Sequence, residues 1–493
     1  MTQIQRRLSS SILSRWWIGP ALGVASLLVF LLAPPVAPLT EVGMRAVGVL
    51  LFTVIWWLSL GIGYPSFVCI ALLVLTGVLS SAEATAASMG SWLVFFLLGC
   101  FGLSEALKVT GFSRRFALWF LTRPFAAGKP WVLLAMFLLG CTAMGGVMSG
   151  TITCIVYLTI AISMLEAIGC EKGDVFAAVL TMGIAWTATA ALAITPIGHA
   201  GNLMAMSWLL RDFGYATSFV QWMIIFIPMG LLVYFIILGL FRYVIRPDVS
   251  RFKHMCDSFV MTESSKLGPV SRQEKYAVFV FSMAIVCWML PGVAGGVLPG
   301  LSGYLDTIGY AVPAVMGACV LCLIRVNDKP IMTFNQWMRD GVEWGSLALV
   351  AAICVIGDVV SNPGTGIPLF LSGVVEPLVR NVPTFALLLV GMLWVVVQTN
   401  VVSNIVSMTM VYSVLVPIAA NTQVADPVAL GAVIAAASNY AFSLPSATTA
   451  TAIVVGSGWV PVRFMAKYGL LMIVPVVLLF TFVAYPFARL VLR

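Results

Sequence analysis

The sequence predicts an all-α membrane protein of about 11 transmembrane helices with two re-entrant hairpins, and three observations carry that prediction. Hydrophobic residues fill 61% of the 493 positions and charged residues only 9%, so most of the chain belongs in hydrocarbon rather than water. The chain divides into nine candidate intervals about as long as one membrane helix and four charge-free intervals that are longer, of 36, 36, 45 and 36 residues. A single crossing takes about 20 apolar residues. Each long interval carries a cluster of Gly, Pro, Ser or Asn near its middle, the pattern of a broken helix or of two short ones.

Taken in order, the start MTQIQRRLSSSILSRWW has the basic flank of a signal peptide. The apolar stretch after it runs into PPVAP with no small-residue cleavage site, which predicts a retained first span over 17–34. Further single spans are expected near 46–62, 64–82, 84–104, 219–241, 276–297, 307–324, 344–361 and 468–488. The long intervals are 130–165, 175–210, 381–425 and 427–462. If the first and third are hairpins that leave on the side they entered, and the other two cross as broken helices, the total is 11.

With the N-terminus in the cytoplasm, this arrangement places 21 Lys and Arg residues inside, and only Arg45, Arg211, Arg380, Arg489 and Arg493 outside, where the C-terminus also falls. That bias agrees with the positive-inside rule, and a full crossing by either hairpin would invert everything after it. The first hairpin then enters from the cytoplasm and the second from outside.

A weak internal repeat points the same way. GLSEALKVTGF at 102–112 parallels GDVVSNPGTGI at 357–367, aligning Glu105 with Asp358; Ser149 and Ser403 lie 254 residues apart, and Pro196 and Pro445 lie 249 apart. An odd number of crossings separates the halves, so the repeats have opposite orientation, the signature of a secondary transporter with a midplane site. The expected organisation is N-terminal spans over 1–83, a first inverted repeat over 84–241, a cytoplasmic loop over 242–275, connecting spans over 276–343, and a second repeat over 344–493.

Composition also excludes function classes. Ten cysteines are scattered, mostly in apolar segments, and Cys319 and Cys322 form a CxxC spacing inside a span with no second pair, which reads as small buried residues rather than a metal site. The net charge of +8 comes from short basic loops that orient the chain, so nucleic-acid binding is not expected. The chain lacks the His, Asp or Cys clusters of a membrane enzyme, and a channel would call for a continuous polar pore lining. No cofactor is expected. Glu105 and Asp358 sit at helix ends and read as structural or interfacial, and Trp16, Trp17, Trp56, Trp57 and Trp459 as belt or packing residues.

The chemistry concentrates at the four breaks. The first hairpin carries MGGVMSGTIT, with Ser149, Gly150 and Thr151 at its turn; the second carries TNVVSNIVS, with Ser403, Asn404 and Ile405. A tip at membrane depth leaves backbone groups that must face protein, water or ligand. Half-helices leaving each tip offer N–H groups and positive dipole ends to an anion. Cations suit the carbonyl-bearing ends that precede them. The broken helices add ITPIGHAGNL at 194–203 and SLPSATTATA at 443–452, bringing His199, Asn202, Thr448 and Thr449 as candidate substrate contacts.

TNVVSNIVSMTMVYSVLVPIA followed by ASNYAFSLPSATTATAIVVGSGWVPVRFMAKYGLL resembles the C-terminal repeat of the divalent anion/sodium symporter (DASS) family, part of the ion transporter superfamily. The similarity runs over roughly residues 85–490. It implies an elevator-type homodimer that binds a dicarboxylate, citrate or sulfate together with sodium between paired Ser-Asn-Thr tips. Two departures stand out: the first tip has Gly150 in place of the family's Asn, and the second has Ile405 in place of its Thr. By resemblance the first sodium site would use Gly145, Ser149 and Gly150 with Gly198, leaving one side-chain oxygen. The second would use Thr399, Asn404 and backbone near Ala447. Where the family shows Thr-Pro-Pro-Asn, this chain has His199-Ala200-Gly201-Asn202 and Thr448-Thr449-Ala450-Thr451. His199 either contacts substrate, standing in for a missing sodium when protonated, or is a neutral imidazole satisfied by backbone. Cation-coupled symport of a small dianion (di- or tricarboxylate, sulfate or sulfonate) is the leading expectation, with anion exchange and proton coupling as alternatives.

Overall fold

The computed structural model describes residues 17–123, 129–250, 265–294, 297–370, 373 and 382–493. It is helical almost throughout, the only strands among the described residues being the two-residue pair Arg325–Val326 and Lys329–Pro330. In chain order the helices begin with α1 (Ile18–Leu32), α2 (Glu41–Leu60), α3 (Gly63–Leu75), α4 (Ser81–Ala87), α5 (Trp92–Val109), α6 (Phe112–Leu121) and α7 (Pro130–Gly145). They continue with α8 (Gly150–Ala167), α9 (Val175–Ala191), α10 (Ala200–Phe213), α11 (Phe219–Gly239), α12 (Arg272–Ala294), α13 (Pro299–Ile308) and α14 (Ala311–Leu323). The last are α15 (Trp344–Ser361), α16 (Thr384–Thr399), α17 (Asn404–Thr422), α18 (Pro427–Ala437), α19 (Thr449–Gly456), α20 (Val462–Leu479) and α21 (Tyr485–Val491).

Local chemistry explains where the boundaries depart from the charge-based spans. Thr40 accepts from Gly43 N–H at 3.1 Å and starts α2, so Glu41 and Arg45 lie inside a helix expected to begin at 46. Ser80 and Glu83 form a reciprocal cap, which opens α4 as a short separate helix before α5 instead of one span over 84–104. The span expected over 307–324 is preceded by α13, and the pair bends by 80° at Gly309, whose φ of +65° a side chain would resist. By length and composition, eight described helices are long and apolar enough to cross a membrane, or nine if the bent pair is one span. Six shorter apolar helices remain, and five of them are α1, α7, α9, α16 and α18, four of which end at a break. Arg6, Arg7 and Arg15, on which part of the orientation rests, lie outside the described residues, as does part of the loop over 242–275.

The described chain forms two compact units. The first comprises Met1–Phe95, Glu343–Asn381 and Pro417–Gln423. In it α2 packs on α1 and α3, α3 packs on α15, and the Thr40 N–H is tied to Thr365 O at 3.1 Å. Asp358 is exposed on α15.

The second unit comprises Phe96–Val342, Val382–Val416 and Val424–Arg493. Its core is built on α9 and α18: every residue from Phe176 to Ala191 and from Ala429 to Ala437 is buried. Helices apolar on all sides belong in a protein interior rather than facing solvent on one side. Around α9 gather α7, α8, α11 and α19, while α18 packs on α10, α16 and α21. Two segments fold back on themselves. In 130–167 the Phe137 and Tyr157 rings lie 4.9 Å apart; in 384–424 Thr384 donates to Val424 O at 2.6 Å. Glu105 is buried and paired with Lys108 at 2.8 Å, a helix-end ion pair.

Close packing here is sensitive to a single methyl. A Cβ at Gly469 on α20 would lie 2.5 Å from Ser443 Cα and 2.6 Å from Phe442 O, backbone that cannot give way. Gly469→Ala should therefore lower the thermal unfolding midpoint of detergent-purified protein by several degrees, corresponding to about 1–3 kcal/mol. Gly456→Ala, with no atom within 4 Å, should leave the midpoint unchanged in the same assay.

Candidate functional site

Four of the helix interruptions in the second unit are 146–149 between α7 and α8, 192–199 between α9 and α10, 400–403 between α16 and α17, and 438–448 between α18 and α19. Inside a membrane each interruption frees backbone groups that need partners. The first junction joins the α7–α8 tip to the α9–α10 break. The Thr195 hydroxyl donates to Gly146 O and accepts from Gly198 N–H at 3.1 Å. Gly198 fits only as glycine, because a Cβ there would sit 2.6 Å from Leu192 O. Asn202 is fully buried and its amide nitrogen donates to Leu192 O at 2.7 Å and Thr195 O at 2.9 Å. The indole of Trp222 donates to Ala193 O at 3.0 Å.

At the second junction the donor is Asn400. Its Oδ1 accepts from Phe442 N–H and Ser443 N–H, both at 2.8 Å, while its Nδ2 donates to Val396 O at 2.7 Å and Tyr440 O at 3.2 Å. The Thr399 hydroxyl lies 2.9 Å from Asn404 Oδ1 and 2.5 Å from Ser438 O. Thr451 does in the α18–α19 break what Asn202 does in the other, donating seven residues back to Leu444 O at 3.1 Å.

The junctions are also tied to each other. Asn439 Nδ2 donates to Asn202 Oδ1 at 3.0 Å, Trp186 on α9 donates to Phe442 O at 2.9 Å, and the hydroxyls of Thr151 and Thr449 lie 2.7 Å apart. All four breaks thus meet through direct hydrogen bonds.

The residues expected at the site occupy distinct positions within this cluster. Ser149, Thr151, Ser403 and Thr448 are half-buried and Thr449 is exposed, whereas Gly150, Asn404 and Ile405 are buried. Ser149 caps no N–H of α8 with its side chain. Thr448 caps α19 by accepting from Thr451 N–H at 3.2 Å. Half-buried His199 caps α10 through Nδ1, which accepts from Gly201 N–H at 3.3 Å. The polar atoms of Asn202 are all engaged within the protein. Gly198 and Ala447 are buried in the two breaks. The sequence reading missed Asn400, Thr195 and Asn439. A polar residue in mid-membrane next to each expected break was the available signal.

No charged side chain occurs in 145–151, 192–202, 399–405 or 438–451, so any ion held here is held by dipoles, hydroxyls and amides. Residues 14–492 match the family described as the sodium:sulfate symporter transmembrane region. The chain belongs to this family, that of the divalent anion/sodium symporters. It is therefore a multi-pass membrane transporter. Among its relatives is the sodium-dependent dicarboxylate transporter SdcS of Staphylococcus saprophyticus, 24% identical over 500 residues that cover 95% of this chain and 91% of the relative. SdcS of Staphylococcus aureus strain USA300 is 23% identical over 470 residues, covering 92% and 86% respectively.

Removing the Asn400 amide would leave Phe442 N–H and Ser443 N–H buried without acceptors, at about 1–3 kcal/mol each. Asn400→Ala should lower substrate transport at least tenfold and reduce thermal stability together, whereas Asn400→Asp, which keeps an acceptor oxygen, should recover part of both. Initial-rate uptake in proteoliposomes and a melting curve on the same preparations check this.

Proposed function

We propose that the protein is a secondary active carrier that moves a small dicarboxylate dianion together with sodium by alternating access. The observation that supports the reading most is the meeting of four helix breaks in one uncharged cluster. Three of the helices that leave those breaks, α8, α17 and α19, begin beside the half-buried hydroxyls Ser149, Ser403 and Thr448, and Thr151 and Thr449 add a paired hydroxyl. Helix N-termini and hydroxyls can hold carboxylate oxygens without an arginine, which leaves the anion free to depart after the carrier turns over. Carbonyl-rich ends of α7, α9, α16 and α18 supply the opposite polarity for a cation. The names of the relatives favour a dicarboxylate over sulfate or a sulfonate, and favour sodium as its partner.

By the same reading Ser149, Gly150, Thr151, Ser403, Asn404, Ile405, His199, Thr448 and Thr449 surround the substrate. The protein works in a bacterial plasma membrane as a homodimer, with its N-terminus in the cytoplasm and the two fold-back segments entering from opposite sides. Anion exchange is the second reading, and the observation that favours it is the glycine at positions 145 and 150, which removes side-chain oxygens from one tip.

Purified protein in proteoliposomes should take up radiolabelled succinate at least tenfold faster under an inward sodium gradient than with choline. Ser149→Ala and Ser403→Ala should each lower that rate without loss of folded protein. Equal uptake in choline, with counterflow retained, would replace symport by exchange. His199→Asn keeps a capping acceptor while removing the titratable ring, so it should change the pH profile of uptake if His199 meets the substrate; an unchanged profile assigns His199 to capping alone.

A further inference from the structure

Away from the four breaks, two helix ends of the second unit meet in a patch that is cationic and aromatic. α7 starts at Pro130 directly after Lys129, which is exposed. α11 continues into a π-helical turn over Leu240–Ile245, giving one apolar span of 27 residues from Phe219 to Ile245. The two helices run antiparallel. The Tyr234 hydroxyl donates to Ala135 O at 2.6 Å, and nearer the ends the Arg242 guanidinium carbon lies 5.5 Å from the centroid of the Trp131 ring.

At 1.5 Å per residue the α11 span is about 40 Å long, about 10 Å more than the hydrocarbon core, which leaves its terminal turn at headgroup level. The residues there suit that depth, where aromatic rings and basic side chains collect. Tyr243 is 68% exposed, and Arg242 and Arg246 are exposed beside it. Arg246 ends the helix in the left-handed region at φ +55°, where glycine is usual, and its Nε donates to Tyr243 O at 2.8 Å.

Three cations here face a single acid. No Asp or Glu occurs in 106–165 or in 213–247; Asp248 follows, and its Oδ1 accepts from Ser250 N–H at 2.9 Å. Among the described residues neither Lys129 nor Arg242 forms an ion pair. An apolar track lies below the cations. Leu231 and Phe235 are exposed on α11, and Phe235 and Arg242, seven residues apart, share one face of it. Between them Gly239 has no atom within 4 Å of the position a Cβ would take, which leaves a notch in that face.

An apolar track topped by aromatic rings and uncompensated cations is complementary to an amphiphile with acyl chains under a phosphate. Guanidinium offers paired donors to phosphate oxygens, and ammonium adds a point charge. We propose that an anionic phospholipid binds where α7 begins and α11 ends. Its headgroup phosphate is held by Arg242 with Lys129 and Arg246, and an acyl chain lies over Gly239 along Phe235. The lipid ties the start of the first fold-back segment to α11, whichever substrate the carrier moves.

A lipid titration of the detergent-purified full-length protein tests this, with the thermal midpoint as readout and dioleoylphosphatidylglycerol compared with dioleoylphosphatidylcholine. Phosphatidylglycerol should raise the midpoint saturably by several degrees, as a ligand of the folded state does, and phosphatidylcholine should not. Lys129→Gln combined with Arg242→Gln should at least halve that rise while leaving the lipid-free midpoint within about 2 °C, as exposed substitutions do. Gly239→Phe keeps every charge but fills the notch, and should weaken the response as much. Arg339→Gln removes an exposed cation elsewhere in the unit and should leave the response intact. Equal midpoints in the two lipids, an undiminished response in the charge variant or the notch variant, or a loss in Arg339→Gln as large as in the double variant would each overturn the proposal. So would an equal rise from inorganic phosphate without lipid.

Discussion

A backbone that leaves helical geometry inside a membrane must find partners for every N–H and C=O it frees, and the second unit is organised around that requirement. Water cannot serve within hydrocarbon, and each group left bare is costly. The chain answers with side chains rather than sheet. Asn400, Thr195 and Asn439 reach from one interruption to another, Asn202 and Thr451 bridge carbonyls within their own, and the indoles of Trp186 and Trp222 cover two of the remaining carbonyls. Because several of these partners come from a different segment, satisfying the breaks also brings them together. The same bonds that make the breaks tolerable therefore build the cluster in which they meet.

Burial follows from this. α9 and α18 end at breaks and are enclosed along their length, which holds Leu192 and Ser438 at fixed depth against the tips. Small residues dominate both helices, letting neighbours approach closely enough for amide side chains to bridge them. Gly469 and Gly198 mark the places where approach is limited by backbone contact. Within that frame the polarity of each junction depends on a few side chains: Thr399, Asn400 and Asn404 at one tip fall opposite Gly145, Gly146 and Gly150 at the other.

Much of this was legible in the sequence. The four overlong intervals with Gly, Pro, Ser or Asn at their centres located all four interruptions, because charge-free length and helix-breaking composition are local properties. Boundaries were less legible where a cap overrode a charge, as at Thr40, or where a short capped helix such as α4 interposed. Hidden entirely were the pairings over long separations. Asn400 looked like an unremarkable neighbour of the Ser403 tip, and nothing in the sequence says that its carbonyl accepts two N–H groups some forty residues away. Asn202 read as a substrate ligand because it follows a break, yet its amide is committed to Leu192, Thr195 and Asn439. Function was legible at the level of family and polarity, since an uncharged set of breaks points to a small ion held by dipoles.

The central claim is that the first tip and the far break form one site, and the hydroxyl pair of Thr151 and Thr449, 2.7 Å apart, tests it most directly. Cysteines placed at both positions in the full-length protein should form a disulfide under mild oxidation, seen as a cross-linked peptide by mass spectrometry, and the cross-link should abolish succinate uptake until it is reduced. Absence of the cross-link under conditions that oxidise exposed thiols, or unimpaired uptake with the cross-link in place, would contradict the account.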